Sequence, residues 1–465
     1  MFKKHIEANK DYIIEDLIEL VKIRSVATNK KPNMPFGEEI HRSLKYVLDK
    51  GKGMDFKIQN FCGYCGQIDA GYGDYTIGVL CHVDVKEEGK GWTKPPFSGE
   101  VCDGNIYGRG IVKGKAPLIA CLYAMKFLKD ENLIPEDKKV RMIVGADKET
   151  GTQGINYYKE YEVAPDIGFT PDGVFPVIYG EKGIMNFNLH MEFASEYDAP
   201  INIVQIVGGD SMDTVPSNAS IILSCDDIFK DKIEAELKRF SEVENIEYKT
   251  LSQNKLINIE FIGKKASSRN PYKGINSISY GLKFLANFED FIDKREFIHE
   301  FNRLISTSYN GEKINCKLQD EDSGEFTFNV STIDLNSDEV NIKINITYPI
   351  SYIYSDILEL VKNGFKYSSF RMDNINHVRA VSFSKDSFVV KKLMKVYREI
   401  TGDEESQPYV ISDETYARAM SNTVSFGPIL PKNKKLSYEI DEFITIDELM
   451  NLVEIYAMAI YELLK

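Results

Sequence analysis

The chain has 465 residues, enough for two domains that each bury a core of their own. Its formal net charge of −14 favours a soluble protein and argues against nucleic acid as a partner. The sequence lacks any run near the ~20 apolar residues of a membrane span, and its seven cysteines predict reduced thiols in a cytoplasm rather than a disulfide framework.

Helix and strand patterns alternate along the first 183 residues. Apolar positions at helical spacing predict helices over 11–25, 37–50 and 115–128. Runs of strand-forming residues predict strands over 55–69, 75–84, 140–146 and 166–170. This alternation is typical of an α/β domain with a mostly parallel sheet, in which ligand sites form at the carboxyl ends of the strands.

From about residue 184 the pattern changes to strands of alternating polarity with helices between them. Strands are predicted over 184–193, 219–224, 257–262, 326–333 and 340–347, and helices over 227–239, 275–286 and 355–362. This pattern indicates an α+β segment with an antiparallel sheet covered by helices. From about residue 384 helical signals return, at 387–401, 415–420 and 446–464, with a strand at 424–430.

The stretch from Val79 to Pro117 carries the most distinctive motifs. Its first half, CHVDV followed by GKGW and PPF, predicts a strand that ends in a His-x-Asp pair. His82 and Asp84 therefore share one face at the carboxyl end of that strand. A histidine beside a carboxylate is a common metal ligand with its orienting partner, whereas the alternative for an isolated pair is a solvated strand end. The second half, NIYGRGIVKGKAP, predicts a glycine-rich turn leading into a helix.

These motifs resemble those of the di-zinc dipeptidases of the carnosinase and carboxypeptidase G family, most closely the dipeptidase V (Xaa-His dipeptidase) branch. The family pattern is roughly H-x-D-V-V-P-x-G-x-G-W, then D-G-x-x-Y-G-R-G-x-x-D-D-K-G-P. The chain matches it at H-V-D-V, G-W and P-F, and then at Asp103, Gly104, Tyr107, Gly108, Arg109, Gly110, Lys115 and Pro117.

The resemblance covers nearly the whole chain and implies its domain organisation. A zinc-exopeptidase-like catalytic domain of α/β class, with a mostly parallel sheet, is expected over 1–183 and 384–465. An α+β lid domain is expected to interrupt it over 184–383. The long lid of the dipeptidase V branch implies a monomer.

In this family two zinc ions share a bridging aspartate, and a glutamate acts as general base on a metal-bound water. The resemblance implies that three zinc-ligand positions and the aspartate that orients the base are retained: His82, Glu149, Asp172 and Asp84. Three other positions are replaced. Lys113 stands at the bridging aspartate, Lys148 at the catalytic base and Tyr438 at the last zinc-ligand histidine.

Positions of the lid that would hold the substrate are replaced as well. Asp213 stands at a substrate-contacting asparagine, Ser267 at the oxyanion histidine and Thr347 at the arginine that grips the substrate carboxylate. Thr415 and Arg418 remain from a T-Y-A-R segment. These replacements predict that a free carboxylate is rejected, so we expect a peptide-like ligand that is neutral or carries an amine.

The replacements preserve the charge of the site. The intact family site sets five carboxylates against two Zn²⁺, whereas this chain keeps three carboxylates and adds two ammonium groups, so both have a net charge of −1. We therefore expect Lys113 and Lys148 to ion-pair with the retained acids in place of the two cations. No cofactor is then predicted to bind tightly, although the family cofactor is zinc, and ordinary peptide hydrolysis is expected to be lost.

Three functions are consistent with this sequence. The first is an impaired or inactive relative, a pseudoenzyme that binds a peptide-like ligand. The second is an active metal-dependent dipeptidase with a rearranged or single-metal site, in which Lys148 could serve as the base. The third is a regulatory partner of an active homologue. A dipeptide hydrolysis assay with added metal separates the second function from the other two.

Overall fold

The computed structural model describes residues 2–193, 199–431 and 437–465. The chain divides into two compact units, and each is described by itself. Unit 1 comprises Met1–Tyr179, Phe383–Tyr409 and Glu414–Lys465, and unit 2 comprises Gly180–Ser382 and Val410–Asp413. No helix among the described residues is long and apolar enough to cross a membrane.

The α-helices of the described residues are α1 (Phe2–Val21), α2 (Glu38–Gly53), α3 (Ala116–Asp130), α4 (Gln153–Tyr158), α5 (Asp227–Glu244), α6 (Ser277–Leu285), α7 (Arg295–Leu304), α8 (Tyr354–Phe365), α9 (Phe388–Thr401) and α10 (Ile446–Leu464). The charged, amphipathic sequence of residues 1–21 predicts a helix, and the first helix indeed spans Phe2–Val21. Apolar positions at helical spacing extend the prediction to residue 25, whereas the helix ends at Val21.

The strands are β1 (Lys57–Phe61), β2 (Cys65–Gly71), β3 (Tyr75–His82), β4 (Val101–Cys102), β5 (Asn105–Tyr107), β6 (Lys138–Gly145), β7 (Ile167–Thr170), β8 (Gly173–Val174), β9 (Val177–Glu181), β10 (Gly183–Glu192), β11 (Ile201–Gly208), β12 (Thr214–Val215), β13 (Asn218–Cys225), β14 (Glu247–Gln253), β15 (Leu256–Ile262), β16 (Ala266–Ser267), β17 (Gln319–Asp320), β18 (Gly324–Glu325), β19 (Thr327–Leu335), β20 (Glu339–Tyr348), β21 (Arg371–Val378), β22 (Val381–Ser382), β23 (Tyr409–Ile411), β24 (Thr423–Phe426), β25 (Pro428–Ile429) and β26 (Phe443–Thr445).

Unit 1 is built on a mixed sheet in the order β1-β2-β6-β3-β7-β24-β9. Its central strands β6, β3, β7 and β24 are parallel, whereas β1, β2 and β9 pair antiparallel. The sequence predicts one strand over 55–69, but the structure has two, because the chain reverses at Cys62–Tyr64. Strands joined by so short a turn can pair only antiparallel. The sheet is therefore α/β in class but less uniformly parallel than the sequence suggests.

The central parallel strands of unit 1 are buried in its core. All residues of β3 except Tyr75 are buried, as expected for a strand covered on both faces. Helix α3 is apolar on almost every side and packs most extensively against α10. Helix α10 begins at a capping box, in which Thr445 and Glu448 satisfy each other's backbone N–H groups.

Unit 2 contains an antiparallel sheet in the order β14-β15-β13-β11-β19-β20-β10-β21. The five strands and three helices predicted for this segment are all present. Apolar residues alternate along the strands and, together with residues of α5 to α8, form one buried cluster. Helix α7 and strands β11, β14 and β21 were not predicted. The edge strands β14 and β21 are mostly polar and partly or fully exposed, so no alternation reveals them.

Candidate active-site region

The candidate site lies at the carboxyl ends of adjacent parallel strands of unit 1. Strand β3 ends at His82, the loop after β6 carries Lys148 and Glu149, and the loop after β7 carries Asp172. Because β6, β3 and β7 are neighbours in the sheet, their ends bring these side chains together. The glycine-rich turn before α3 adds Lys113.

Asp172 is the centre of a cluster of buried ion pairs. Its Oδ1 lies 3.2 Å from Lys113 Nζ and 3.3 Å from Lys148 Nζ. Lys148 Nζ also donates a hydrogen bond to Glu149 Oε1 at 3.0 Å. The Asp172 side chain is 1% exposed, and those of Lys113 and Lys148 are 14% and 11% exposed. The ion pairs predicted from the sequence are therefore present.

The electrostatics of this cluster favour its charged form. Burial would raise the pKa of Asp172, but the ammonium groups of Lys113 and Lys148 outweigh burial and lower the pKa to about 2. Burial would lower the pKa of Lys148, but Asp172 and Glu149 together raise it well above its usual value. The pKa of Glu149 is lowered, since Lys148 overcomes the effect of burial. All three groups are thus ionised at neutral pH.

Tyr438 closes the cluster on the side of Glu149. Its hydroxyl donates to Glu149 Oε1 at 2.9 Å and accepts a hydrogen bond from Lys148 Nζ at 3.4 Å. Lys86, which the sequence reasoning missed, lies 3.7 Å from Glu149 Oε2 and 4.4 Å from the centre of the Tyr438 ring. Both carboxylate oxygens of Glu149 are therefore engaged by cations. Lys86 follows Asp84 by two residues, and this spacing is the sequence feature that could have indicated its place in the site.

His82 and Asp84 form a hydrogen-bonded pair next to this cluster. His82 Nδ1 donates to the main-chain oxygen of Asp84 at 3.0 Å and lies 3.2 Å from its Oδ1. The other carboxylate oxygen of Asp84 accepts a hydrogen bond from Glu149 N at 2.6 Å. His82 Nε2 is buried without a hydrogen-bond partner among the described residues, 4.0 Å from Asp172 Oδ1. Asp84 thus orients both the imidazole and the loop that carries Glu149.

The T-Y-A-R segment contacts both Asp172 and His82. Tyr416 N donates to Asp172 Oδ2 at 2.7 Å, and the Tyr416 ring meets the His82 ring edge to face. The Thr415 hydroxyl accepts a hydrogen bond from Ala417 N at 3.2 Å and begins a short helix that includes half-buried Arg418. The main chain of this segment therefore holds the Asp172 carboxylate in place.

The turn that carries Lys113 is held by a buried carboxylate that the sequence reasoning also missed. Glu442 accepts hydrogen bonds from Arg109 Nη1 at 2.9 Å, from Gly110 N at 3.2 Å and from Val112 N at 3.0 Å. Arg109 lies within the G-R-G motif, and Glu442 follows Tyr438 by four residues. The sequence shows the motifs that contain Arg109 and Glu442, but neither motif reveals that these two residues pair.

The three lid positions that the sequence predicts to be replaced lie in unit 2, in different surroundings. Asp213 is exposed and lies 3.6 Å from the guanidinium of Arg269. Ser267 is exposed on β16, where it pairs with Thr214 of β12. Thr347 is fully buried on β20. The three do not share one environment within unit 2.

The donor set of unit 1 does not fit a pair of zinc ions. Zinc requires three or four N, S or O ligands with their lone pairs available. Lys113 and Lys148 instead place ammonium groups against Asp172 and Glu149, and an ammonium group repels Zn²⁺. No group of three or more His, Cys, Asp or Glu side chains within residues 2–193, 199–431 and 437–465 is arranged to hold a metal ion.

The chain is similar to known proteins over nearly its whole length. The sequence model of the family described as Peptidase family M20/M25/M40 matches residues 78–462. "Putative dipeptidase YtjP" of Bacillus subtilis (strain 168) is 34% identical over 463 residues, which cover 98% of each chain. "Putative dipeptidase SH1171" of Staphylococcus haemolyticus is 31% identical, over 100% of this chain and 99% of its own.

Solved structures share the fold at low sequence identity. The M20 family metallo-carboxypeptidase Sso-CP2 of Sulfolobus solfataricus has a TM-score of 0.55 and 16% identity, over 97% of this chain and 99% of its own. Human carnosine dipeptidase 1 has a TM-score of 0.53 and 14% identity, over 99% of this chain and 98% of its own. These likenesses establish the arrangement of helices and strands.

Proposed function

The chain belongs to Peptidase family M20/M25/M40, and from this premise we propose that it is a dipeptidase V-type member that binds a peptide-like ligand without hydrolysing it. The observation that carries this proposal is the contact of two ammonium groups with one buried oxygen, Asp172 Oδ1. The acids that resemble the family's zinc ligands are thereby neutralised by the chain's own side chains. A bound metal would have to displace both lysines.

The same cluster argues against a metal-free hydrolytic step. A general base must be able to accept a proton near neutral pH. Lys148 occupies the position of the family base, but its pKa is raised well above the usual value by Asp172 and Glu149, against the effect of burial. It therefore stays protonated and cannot activate water.

The lid positions support a ligand without a free carboxylate. Thr347 stands in place of the expected arginine, and Asp213, whose carboxylate lies 3.6 Å from the Arg269 guanidinium, stands in place of the expected asparagine. A carboxylate that loses its water shell without a cationic partner costs several kcal/mol. A neutral or amine-bearing peptide-like ligand avoids that cost.

A second function, an active dipeptidase with a single metal ion, is favoured by one observation. His82 Nε2 is buried, lacks a hydrogen-bond partner among the described residues, and lies 4.0 Å from Asp172 Oδ1. These two atoms could serve as half of a zinc site if Lys113 and Lys148 both moved away from Asp172. The 34% identity to a protein named a dipeptidase adds to this alternative.

A hydrolysis assay with a reversion variant separates the two functions. The wild-type protein is incubated with dipeptides and added Zn²⁺, Mn²⁺ or Co²⁺, alongside the triple variant Lys113→Asp, Lys148→Glu, Tyr438→His. We expect no hydrolysis above background from the wild type, and bound zinc in the variant, because the variant regains the missing donors. Metal-dependent hydrolysis by the wild type would refute the proposal.

A further inference from the structure

Unit 2 contains an open cavity of about 530 Å³ at one end of its antiparallel sheet. Strands β11, β13 and β15 form its floor, and the segment between β11 and β13 forms a wall. All of its described lining residues belong to unit 2. A volume of this size is usual for the site of a small ligand. We call this space the unit 2 cavity.

The floor of the unit 2 cavity is the face of the sheet that points away from the apolar core. Val207, Ser220 and Glu260 pair in register across β11, β13 and β15, so their side chains project from one face. Their strand neighbours Ile221 and Ile259 belong to the buried cluster on the other face. Val207 is exposed, and Ser220 and Glu260 are half-buried, so a ligand can reach all three.

The walls of the unit 2 cavity carry two further charged side chains. Gly209 directly follows β11 with φ of 75°, and a Cβ at this position would overlap Ser331 O. The chain can therefore turn off the sheet here only because the residue is glycine. Asp210 follows in the same loop, and Lys265 directly precedes β16. Strands β12 and β16 pair with each other, which joins the loop of Asp210 to the segment of Lys265.

Two opposite charges of the unit 2 cavity have no partners of their own. Neither Glu260 nor Lys265 forms an ion pair or a side-chain hydrogen bond with another described residue. Lys249, which stands opposite Glu260 on β14, forms no ion pair with it either. A half-buried carboxylate is more stable beside a cation. Because Glu260 and Lys265 line one cavity without contacting each other, a ligand with two opposite charges can bind between them.

Neutral groups of the same floor suit the body of a peptide. Ser220 Oγ donates to Asn258 Oδ1 at 3.0 Å, which fixes the orientation of the amide. Asn258 Nδ2 then keeps its protons for a carbonyl group, since it has no acceptor among the described residues. The exposed side chain of Val207 offers an apolar contact to an aliphatic side chain.

We propose that the unit 2 cavity binds a short peptide in its zwitterionic form. The ligand ammonium group pairs with Glu260, its terminal carboxylate pairs with Lys265, and a peptide carbonyl accepts a hydrogen bond from Asn258 Nδ2. A free amino acid carries both charges on one carbon, whereas each added residue separates them by up to about 3.6 Å. A dipeptide therefore suits two side chains that do not touch.

The net charge of the lining agrees with this ligand. Its charged side chains are Asp210, Glu260 and Lys265, so an ammonium group is favoured over a second anion. The inference goes beyond the proposed function, because it involves neither the ionic cluster of unit 1 nor the three lid positions that the sequence predicts to be replaced.

Calorimetric titration with leucylglycine in the presence of a chelator tests the inference. We expect the wild type to bind it, and Glu260→Gln and Lys265→Met each to weaken binding by at least about tenfold, because each variant removes one charge pair. No binding by the wild type, or equal binding by the wild type and both variants, would overturn the inference. Lys265→Met decides the question alone if Glu260→Gln fails to fold.

Lys249→Met is the matched control. Lys249 stands opposite Glu260 on the exposed strand β14 but does not line the cavity. Its replacement should leave binding within about twofold. A loss as large as that in Lys265→Met would mean that the charge of the sheet, rather than the cavity, attracts the ligand, and would also overturn the inference.

Modified ligands assign each end of the peptide. Leucylglycinamide lacks the carboxylate, so Lys265→Met should not change its binding. N-acetylleucylglycine lacks the ammonium group, so Glu260→Gln should not weaken its binding. Loss of amide binding in Lys265→Met would contradict the assigned contact, and tighter binding of leucine than of leucylglycine would contradict a peptide ligand.

The outcome is separate from that of the proposed function. Hydrolysis of leucylglycine after addition of Zn²⁺ would refute the proposed function, whereas the titrations, made with a chelator, would still decide the unit 2 cavity.

Discussion

At the scale of single residues, the candidate site is an ionic cluster rather than a set of free metal ligands. Its lysines could be predicted from the sequence, because Lys113 and Lys148 replace acids at positions where the charge balance demands cations. The resemblance places Tyr438 in the site, and Lys86 follows Asp84 by two residues. Their contacts with Glu149, however, depend on how two loops fold over this residue, which the sequence does not reveal. Buried charges of this kind persist because each has an oppositely charged partner.

Asp172→Asn is the most direct test of this cluster. Removing the charge leaves Lys113 without its partner at 3.2 Å and deprives Lys148 of one of its two acids. We expect the free energy of unfolding to fall by about 3–5 kcal/mol, as when one partner of a buried ion pair is lost. Urea unfolding at pH 7 measures this loss.

The matched control for Asp172→Asn is Asp130→Asn, which breaks the exposed pair of Asp130 with Lys126. An exposed pair contributes about 0–1 kcal/mol, so this variant should be nearly as stable as the wild type. Similar small losses in both variants would mean that the site does not depend on its ion pairs.

The pH dependence of stability should carry the signature of Asp172. Its pKa of about 2 in the folded protein lies below the ordinary value of 3.8 because the two lysines overcome the effect of burial. A depressed acid pKa stabilises the fold above the unfolded value, and this stabilisation is lost as the pH falls from about 4 towards 2. The difference in unfolding free energy between the wild type and Asp172→Asn should therefore shrink over that range. A difference independent of pH would contradict the assignment.

At the scale of elements, the turn Ile111–Lys115 decides where Lys113 lies. Gly114 has φ of 119°, and a Cβ at this position would lie 3.2 Å from the His82 ring. Buried Glu442 binds the backbone of Gly110 and Val112 in the same turn. The glycine-rich turn was predictable from its composition, whereas the carboxylate that holds it comes from a segment more than 300 residues away.

Gly114→Ala should disturb this turn. The left-handed backbone and the contact with His82 together are expected to cost about 1–3 kcal/mol of unfolding free energy. Gly89→Ala is the control, since Gly89 also has a positive φ, 73°, but a Cβ there meets no atom within 4 Å. Urea unfolding of both variants compares them, and an equal loss would show that the approach to His82 does not matter.

Whether a strand could be predicted from the sequence depended on how far it is buried. The buried central strands of unit 1 were evident because their apolar runs have no solvent-facing side. The edge strands β14 and β21 were not, because exposure removes the alternation that marks a half-buried strand. The pairing of Asn186 on β10 with Asn345 on β20 was not predictable for a related reason: the two residues are 159 positions apart in the chain, and only the register of the sheet aligns them.

At the scale of the whole molecule, the chain combines the fold of a peptidase family with a site whose charges are satisfied from within. The family match over residues 78–462 and the likeness to solved peptidases account for the architecture. We propose that Lys113, Lys148 and Tyr438 stand at positions where the chemistry of the family, rather than its fold, requires particular side chains. A chain with these three residues could then keep the α/β sheet of the family.

The central claim is that two lysines take the place of a metal pair, and zinc stoichiometry tests it most directly. The protein is equilibrated with a small excess of Zn²⁺ at pH 7, dialysed, and analysed for zinc by elemental mass spectrometry. Because Lys113 and Lys148 neutralise Asp172 and Glu149, we predict far less than one zinc ion per chain. Two zinc ions per chain, lost on parallel replacement of His82 and Asp172 by alanine, would contradict the claim.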